Sequence, residues 1–285
     1  MKKISFFDTT LRDGEQGIGH LLSNDKKLKL LPELVNLGVG SIEIGMVTDE
    51  HSEKFFHEVS TSDINFDNTY IASLCRLKLD DIRKTISALN RFNKSKLNLL
   101  CVGSETHISK KFGSEKKDIF IMLKDSLEYI SSSNYNGKVT AILEDSSRGS
   151  FQLLEETISL LTSYHVYDIC FADTTGCLTP LYMSKLITHF KNKFPSVKFS
   201  VHCHNDLGLA VANSISAIDA GVDEVQVTLG GVGERCGNAS FEEILAILYY
   251  RNEYKSRFKT DIIMKKLGSV FNIEIIVKIN NAHAQ

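Results

Sequence analysis

Several features that would assign this sequence to a particular class of protein are absent from it. No apolar run in the 285 residues approaches the roughly 20 residues that a membrane-spanning helix needs. The apolar part of the opening MKKISFFD is only a few residues long, which is too short for a signal peptide. The net charge of −2 is not gathered into a basic or acidic block, so neither nucleic acid nor an anionic membrane is expected as a partner.

The cysteines also lack the spacing of a disulfide scaffold or a thiolate metal site. The sequence contains six of them and no CxxC pair. Four lie in or beside apolar, strand-like runs, where a free thiol packs as a small hydrophobic group. This usage predicts a soluble protein in a reducing, cytoplasmic location.

Apolar, strand-like runs recur along the chain, and most are continuous rather than alternating, which is typical of parallel strands covered by helices. Amphipathic stretches separate them, among them residues 23–38, which begin with a Ser or Asn cap and end at a glycine. The runs lie at 3–8, 41–46, 69–75, 96–102, 138–144, 166–173, 197–204 and 223–230.

Eight strand–helix units over about 250 residues are the pattern of a TIM barrel. A doubly wound α/β sheet shows the same local alternation, but no GxGxxG or Walker sequence supports one. No low-complexity linker divides the chain. We therefore predict one α/β domain, a TIM (β/α)8 barrel over residues 1–251, followed by a C-terminal helical extension over 252–285 that packs under or beside it.

Two histidines end the seventh run. His202 and His204 are two residues apart, so on a strand they share a face, while Cys203 points to the opposite one. A metal ion would hold two neutral imidazoles in this arrangement. A pair of hydrogen-bonded surface histidines has the same spacing, and the spacing alone does not separate the two interpretations.

Polar residues are concentrated where the other predicted strands end, which is where TIM-barrel enzymes place their active sites. In chain order these residues are Asp8, Arg12, Asp13, Gln16, Glu43, His107, Glu144, Arg148, Asp173, Thr174, Asn205, Asp206, Glu234, Arg235 and Asn238. Charged groups that face one mouth are costly unless they are paired or liganded.

A metal held by Asp13, His202 and His204, with Asn238 adding an amide oxygen, would satisfy these groups and leave positions open for substrate. Nitrogen and oxygen ligands without thiolate suit Zn, Mn, Co or Mg. Non-haem iron oxygenases use the same set of two histidines and one carboxylate and remain an alternative.

Some of these residues have a structural interpretation beside the functional one. Arg12 is either a donor to a bound carbonyl group or a strut for Glu43. Asp173 and Thr174 either line the site or cap the helix that begins near Pro180.

Three further expectations concern loops at the same end of the barrel. Glu234 and Arg235 are expected to form a structural ion pair, and Asp8 to hold the loop after the first strand. The glycines at 230, 231 and 233 suit a tight, mobile loop.

Three motifs occur in a recognisable order: DTTLRDGEQ at 8–16, HCHNDLGLAVANS at 202–214 and GGVGERCGNAS at 230–240. Together they resemble the DRE-TIM metallolyase superfamily, in particular its condensing branch of 2-isopropylmalate, citramalate and homocitrate synthases. The resemblance covers about residues 4 to 250, the catalytic barrel of that family.

The resemblance implies roles for particular residues. A divalent metal would be held by Asp13, His202, His204 and Asn238. The catalytic residues would be Arg12, Glu43, His107, Glu144 and Thr174. The substrate would be bound by Arg12, Gln16, Thr174 and Asn205.

The implied reaction is a Claisen condensation of acetyl-CoA with a 2-oxo acid to give a 2-hydroxy diacid, as in leucine biosynthesis. Val232 replaces the cysteine of the lyase branch that cleaves 3-hydroxy-3-methylglutaryl-CoA. Thr140 and Ile142 replace the arginine and serine of homocitrate synthases, which argues against 2-oxoglutarate. A metal-dependent aldolase or lyase, and a non-catalytic barrel that binds a metal or an oxo acid, remain alternatives.

Members of the condensing branch continue into a linker subdomain and a leucine-sensing domain. This chain ends in NNAHAQ, about where the linker's histidine motif would begin, so residues 252–285 are expected to be the start of a truncated linker region. A catalytic fragment and a short stand-alone member are both compatible with this length, and feedback inhibition is expected to be missing from either. The resemblance also suggests a homodimer.

Overall fold

The computed structural model describes residues 4–166 and 168–251, which form a closed barrel of parallel strands surrounded by helices. The strands are β1 (Ser5–Asp8), β2 (Ser41–Met46), β3 (Tyr70–Arg76), β4 (Ser95–Val102), β5 (Lys138–Glu144), β6 (Asp168–Asp173), β7 (Lys198–Cys203) and β8 (Glu224–Val227). The α-helices within these residues are α1 (Asn24–Asn36), α2 (Glu50–Ser60), α3 (Leu79–Leu89), α4 (Glu105–Lys110), α5 (Lys116–Ser132), α6 (Phe151–Ser163), α7 (Pro180–Lys193), α8 (Ala210–Asp219) and α9 (Phe241–Tyr250). Each strand pairs with its neighbour in the sequence, and β8 closes the barrel against β1.

The predicted TIM barrel is confirmed. β2 and β5 have the predicted bounds, whereas β8 ends at Val227, three residues before the predicted end. A short 3₁₀ turn over Leu229–Gly231 replaces the predicted last residues of the strand, and Gly230 within it has a φ of +68°, which a strand does not allow. The predicted extension over 252–285 lies outside the described residues.

The main hydrophobic core lies between the strands and the helices. On β6 and β7, Phe171 and Phe199 stack with ring centroids 5.3 Å apart, and Phe190 of α7 packs 5.0 Å from Phe171. All three rings are buried, and each contributes about 1.5–3 kcal/mol through burial of apolar surface. The core therefore anchors β6 and β7, the strands that lead to the sixth and seventh loops at the mouth.

The pleat of β7 separates its side chains into two sets. Val201 and Cys203 pack in the outer core with the helices. His202 and His204 are buried on the opposite, inner side, as the period of two requires. Both imidazoles therefore face the barrel axis at the C-terminal end of the strand.

The loops after β1 and β8 are joined by a buried hydrogen-bond network. Asp8 accepts hydrogen bonds from the Thr10 backbone N–H at 3.0 Å and from the Thr10 hydroxyl at 2.8 Å, so the expectation that Asp8 holds this loop is confirmed. The Thr10 hydroxyl in turn accepts from the Leu229 N–H at 2.9 Å. These contacts hold the two loops together although they lie at opposite ends of the described chain.

No helix of the described residues combines the length and the apolar character that a membrane crossing requires.

Candidate metal centre

Three of the predicted ligands converge at the C-terminal end of the barrel. Ligand atoms of Asp13, His202 and His204 all lie within 4.8 Å of one another, and the three residues are buried. The Nε2 atoms of the two histidines are 3.2 Å apart, and His202 Nε2 lies 3.6 Å from Asp13 Oδ2. Asp13 reaches this point because the chain turns tightly after β1, where the Asp13 N–H donates to the Thr9 carbonyl at 2.8 Å.

Asn238 completes the cluster from the loop after β8. Its Nδ2 donates to Asp13 Oδ1 at 2.7 Å and to the Val232 carbonyl at 3.1 Å. Its Oδ1 is buried and has no hydrogen-bond partner among the described residues. A buried amide oxygen without a partner is costly unless a donor or a cation satisfies it, so this atom suits a metal ligand.

Gly233 allows Asn238 to approach Asp13 closely. A Cβ on residue 233 would lie 2.0 Å from Asn238 Nδ2 and 2.8 Å from Asp13 Oδ1. Any larger residue would therefore displace the amide, the carboxylate or the loop. The glycine at 233 is therefore needed for close packing at the site. The prediction of a tight, mobile loop did not include this role.

The electrostatics leave the cluster in the protonation states that bind a cation. Burial, with a further contribution from His204, lowers the pKa of His202 to about 3, and burial also lowers the pKa of His204. Burial would raise the pKa of Asp13, but Arg12 and the two histidines outweigh it and hold this pKa well below its usual range. At neutral pH the site thus offers two neutral imidazoles, one carboxylate and one amide oxygen, a donor set that fits a divalent ion.

Arg12 lies beside this cluster and makes the predicted contact with Glu43. Its Nε donates to Glu43 Oε2 at 2.5 Å, and its Nη1 donates to Asp13 Oδ2 at 2.8 Å and to Gln16 Oε1 at 3.3 Å. No contact within the described residues uses Nη2. Glu43 is fully buried, and it also accepts from Asn98 Nδ2 at 2.6 Å. Arg12 is therefore held by two carboxylates while one end of its guanidinium remains available.

The other residues predicted to be catalytic form a second group around the ends of β4, β5 and β6. His107, on α4, has its Nδ1 3.7 Å from Glu144 Oε2 and its Nε2 3.8 Å from Asp145 Oδ2. Lys111 donates to both oxygens of Glu144 at 2.7–2.8 Å. The hydroxyl of Thr174 accepts from the Asp145 N–H at 2.8 Å. Within the described residues, this group makes no hydrogen bond or ion pair with Asp13, His202 or His204.

Asp145 was not among the residues selected from the sequence. It is fully buried and accepts hydrogen bonds from Ser104 and, with both oxygens, from the guanidinium of Arg148. Its φ of +63° is uncommon for a residue other than glycine. The neighbouring Glu144 was selected from the sequence instead, because it ends the apolar strand.

The structure excludes one of the two interpretations of Asp173 and Thr174. The helix near Pro180 has Thr179 at its N-cap position and no side-chain cap. Asp173 instead accepts from the Cys177 and Leu178 N–H groups at 3.1 and 3.2 Å and so holds the loop before the helix. The capping interpretation was wrong because the loop from 174 to 179 separates both residues from the first turn of the helix.

Two further predicted residues have structural contacts. Arg235 forms the expected ion pair with Glu234 at 3.1 Å, but its principal partner is Asp206, which it contacts through both Nε and Nη2. Asn205 Oδ1 accepts from the Ala210 N–H at 3.1 Å, at the start of α8. Asn205 thus has a local structural role, and its role in substrate binding stays a prediction.

Part of the inner wall of the barrel is apolar. Inside the barrel, Leu74, Ile142, Cys170 and Ala172 form a separate buried cluster, and the partly buried Met46 and Leu100 pack against it. These side chains come from β2 to β6, whereas Asp13, His202 and His204 come from the end of β1 and from β7 and its end. The mouth therefore has a metal-binding side and an aliphatic side.

The fold and the site define a (β/α)8-barrel protein with a candidate metal centre at the C-terminal ends of its strands. The chain belongs to the HMGL-like family, whose model matches residues 3–273. The family resemblance inferred from the three motifs is thereby confirmed.

Two curated relatives are 2-isopropylmalate synthases. The chain is 34% identical to 2-isopropylmalate synthase of Pyrococcus abyssi, over 94% of this chain and 55% of that protein. It is 35% identical to 2-isopropylmalate synthase 1 of Caldanaerobacter subterraneus, over 89% of this chain and 64% of that protein. The chain thus spans between half and two thirds of the length of these relatives.

Solved structures show a similar fold at low sequence identity. A hydroxymethylglutaryl-CoA lyase from Pseudomonas aeruginosa matches with a TM-score of 0.80 and 17% identity, covering 98% of this chain and 96% of that one. The HMG-CoA lyase from Brucella melitensis matches with a TM-score of 0.77 and 15% identity, covering 95% and 98%. At these identities the match concerns the fold alone.

Proposed function

We propose that this barrel is the catalytic part of a divalent-metal-dependent acyltransferase that condenses acetyl-CoA with a 2-oxo acid, of the 2-isopropylmalate or citramalate synthase type. The observation that carries the proposal is the convergence of Asp13, His202 and His204 beside an arginine with free N–H donors. The names of the curated relatives support the same reaction class.

The metal would be held by Asp13, His202, His204 and the unpartnered Oδ1 of Asn238. When bound, it would supply a Lewis acid for the carboxylate and ketone oxygens of the 2-oxo acid. The two buried, neutral imidazoles need not lose a proton before binding, which favours metal binding at neutral pH.

Arg12 would stabilise the negative charge that develops on the ketone oxygen during attack. Its Nε and Nη1 are held by Glu43 and Asp13, so the guanidinium is oriented before substrate arrives. Donors that are oriented in advance toward developing charge are among the largest contributions to catalysis. Nη2, which no described residue uses, is the donor we assign to the substrate.

Removal of a proton from the acetyl methyl group requires a separate base. His107 and Glu144, whose nearest side-chain atoms are 3.7 Å apart, are a pair of titratable groups at the mouth that the metal cluster does not use. We assign the proton transfer to this pair, with Thr174 lining the same side of the substrate site and Gln16 and Asn205 lining the other.

The aliphatic wall supports an oxo acid whose side chain is apolar. A second carboxylate placed against Leu74, Leu100 and Ile142 would lose its hydration without gaining a counter-charge. We therefore propose pyruvate or 2-oxoisovalerate, rather than 2-oxoglutarate, as the 2-oxo acid.

The second candidate function is metal-dependent cleavage of a hydroxyacyl-CoA or a 4-hydroxy-2-oxo acid. Solved HMG-CoA lyases share the fold of this chain over almost their whole length, so a barrel of this size is also compatible with a lyase. The polar cluster and the aliphatic wall are compatible with either direction of carbon–carbon bond chemistry, so an experiment must distinguish the two.

The test begins with metal-free protein, to which Mg²⁺ or Mn²⁺ is returned with acetyl-CoA and a panel of 2-oxo acids. Release of the CoA thiol is followed, and binding of each oxo acid is measured by calorimetry with and without metal. Metal-dependent binding and thiol release with pyruvate or 2-oxoisovalerate are the expected results. Silence with acetyl-CoA but cleavage of a hydroxyacyl-CoA would support the lyase, and metal binding without turnover of any substrate would support a binding protein.

A further inference from the structure

Glu43 is held on both sides inside the barrel. The carboxylate is fully buried on β2, and its two oxygens have different donors. Oε2 accepts from Arg12 Nε at 2.5 Å, and Oε1 accepts from Asn98 Nδ2 at 2.6 Å. A carboxylate torsion is soft when a single donor holds it, so the second donor determines the plane of the group.

Asn98 is the only member of this chain of contacts that neither the sequence motifs nor the proposed mechanism use. It lies in the middle of β4, fully buried, between Leu74 of β3 and Thr140 of β5 in the strand register. Its neighbours Leu97 and Leu99 pack outward in the main core, so the pleat turns the amide inward. A buried amide needs hydrogen-bond partners, and within the described residues Asn98 donates to Glu43 while its own Oδ1 has no partner.

We propose that Asn98 is a positioning residue that, through Glu43, orients the guanidinium of Arg12 toward the substrate. This inference rests on the proposed function, because it gives Arg12 Nη2 a substrate to contact. Asn98 Nδ2 donates to Glu43 Oε1 at 2.6 Å, and Arg12 Nε donates to Glu43 Oε2 at 2.5 Å. Arg12 Nη1 then donates to Asp13 Oδ2 at 2.8 Å. They connect β4 with the metal cluster across the inside of the barrel.

Loss of the Asn98 amide would change the contacts of Glu43. Oε1 of Glu43 would be buried with no donor, which is costly for a carboxylate. Rotation about its Cγ–Cδ bond would allow both oxygens to face Arg12 and accept from Nε and Nη2 in the two-bond arrangement that arginine and carboxylate favour. Nη2 would then be held by Glu43 and withdrawn from the substrate, while the ligands of the metal would be unchanged.

Asn98→Leu tests this, because leucine has a similar volume and no donor. The matched control is Thr140→Val: Thr140 is also buried, lies beside Asn98 in the register, and carries a hydroxyl without a partner among the described residues. We expect kcat to fall about 10- to 100-fold in Asn98→Leu, as for loss of a hydrogen bond to a charged group. The affinity for Mn²⁺ should stay within about twofold of wild type, and Thr140→Val should keep the wild-type kcat.

A double-mutant cycle separates positioning from general damage to the fold. In an Arg12→Lys background, Asn98→Leu should cause little further loss of kcat, because the group that it orients is already gone. An equal loss of kcat in both backgrounds would overturn the proposal. So would a kcat for Asn98→Leu within about twofold of the Thr140→Val value.

An NMR measurement tests the orientation of Arg12 even if the protein shows no catalytic activity. In protein labelled with ¹⁵N-arginine, the Nε–H signal of Arg12 is identified by its loss in Arg12→Lys. This signal should shift in Asn98→Leu and keep its position in Thr140→Val, because only the first variant changes the carboxylate that accepts from Nε. An Arg12 signal that is unmoved in Asn98→Leu overturns the proposal, whereas an inactive wild-type enzyme overturns only the proposed function.

Discussion

Asp8 is a carboxyl group enclosed in the wall of the barrel, and we predict that Asp8→Asn stabilises the protein above neutral pH. The side chain is fully buried at the end of β1 and accepts two hydrogen bonds, both from Thr10. Burial raises its pKa from 3.8 to about 7, against the effect of these hydrogen bonds, and Glu242 and Glu43 raise it further. The folded protein therefore holds a proton that the unfolded chain has already lost.

The sign and size of the effect follow from this difference. Between about pH 4 and pH 7, Asp8 is protonated in the folded state and ionised in the unfolded state. The contribution of Asp8 to the free energy of unfolding therefore falls as the pH rises through this window and is constant above it. A shift from 3.8 to about 7 corresponds to a total loss of about 4 kcal/mol. Asparagine has the same shape and no proton to lose, so the variant should lack this part of the fall.

Urea unfolding at pH 5 and pH 8, with EDTA present so that bound metal makes no contribution, measures the effect. The stability of Asp8→Asn relative to wild type should increase by about 3 kcal/mol from pH 5 to pH 8, because part of the loss has already occurred at pH 5. Asp63→Asn, at an exposed position, is the control and should show no such change. A relative stability of Asp8→Asn that is the same at both pH values, or that decreases with pH, would refute the reasoning.

Two further predictions concern the metal centre. His204→Ala should lose Zn²⁺ or Mn²⁺ on dialysis, as measured by elemental analysis, while its circular dichroism spectrum stays unchanged. The control His189→Ala, on the helical surface, should retain the metal. Full metal occupancy in His204→Ala would show that the ligand set is wrong. Gly233→Ala should weaken metal affinity at least about tenfold in a calorimetric titration, because its Cβ would lie 2.0 Å from the Asn238 amide. Gly19→Ala, where a Cβ would meet nothing within 4 Å, is its control, and equal affinities in the two variants would contradict the assigned role of Asn238.

The strands could be predicted because their signal is local. A buried parallel strand is a continuous apolar run of a few residues, and β2 and β5 have the bounds that this pattern predicts. The predicted β8 was too long because Thr228 and Leu229 both suit a strand and do not reveal the 3₁₀ turn that follows Val227. The turn is stabilised by contacts with the loop after β1, which no window of neighbouring residues contains.

The site could be predicted only in part, for the same reason. The convergence of His202 with His204 follows from the period of two in a strand. The contact of Arg12 with Glu43 was one of two open interpretations, because Arg12 lies in the loop after β1 and Glu43 lies within β2. The contacts of Asn98 and Asp145 were missed, because they depend on partners on other strands and loops. The capping role expected of Asp173 was wrong, and Asp206 was missed as a further partner of Arg235, on the same ground.

The sequence by itself determined that eight apolar strands alternate with helices, that two histidines share one face, and that three motifs occur in the order of a known family. These are properties of short segments, because backbone pleat, hydrophobic periodicity and motif spacing act over a few residues. Only the tertiary structure decided that Asn238 meets Asp13 across 225 residues of chain and that one side of the mouth is aliphatic. Closure of the barrel brings the ends of all eight strands to one rim, and only there do these distant side chains share hydrogen bonds and burial.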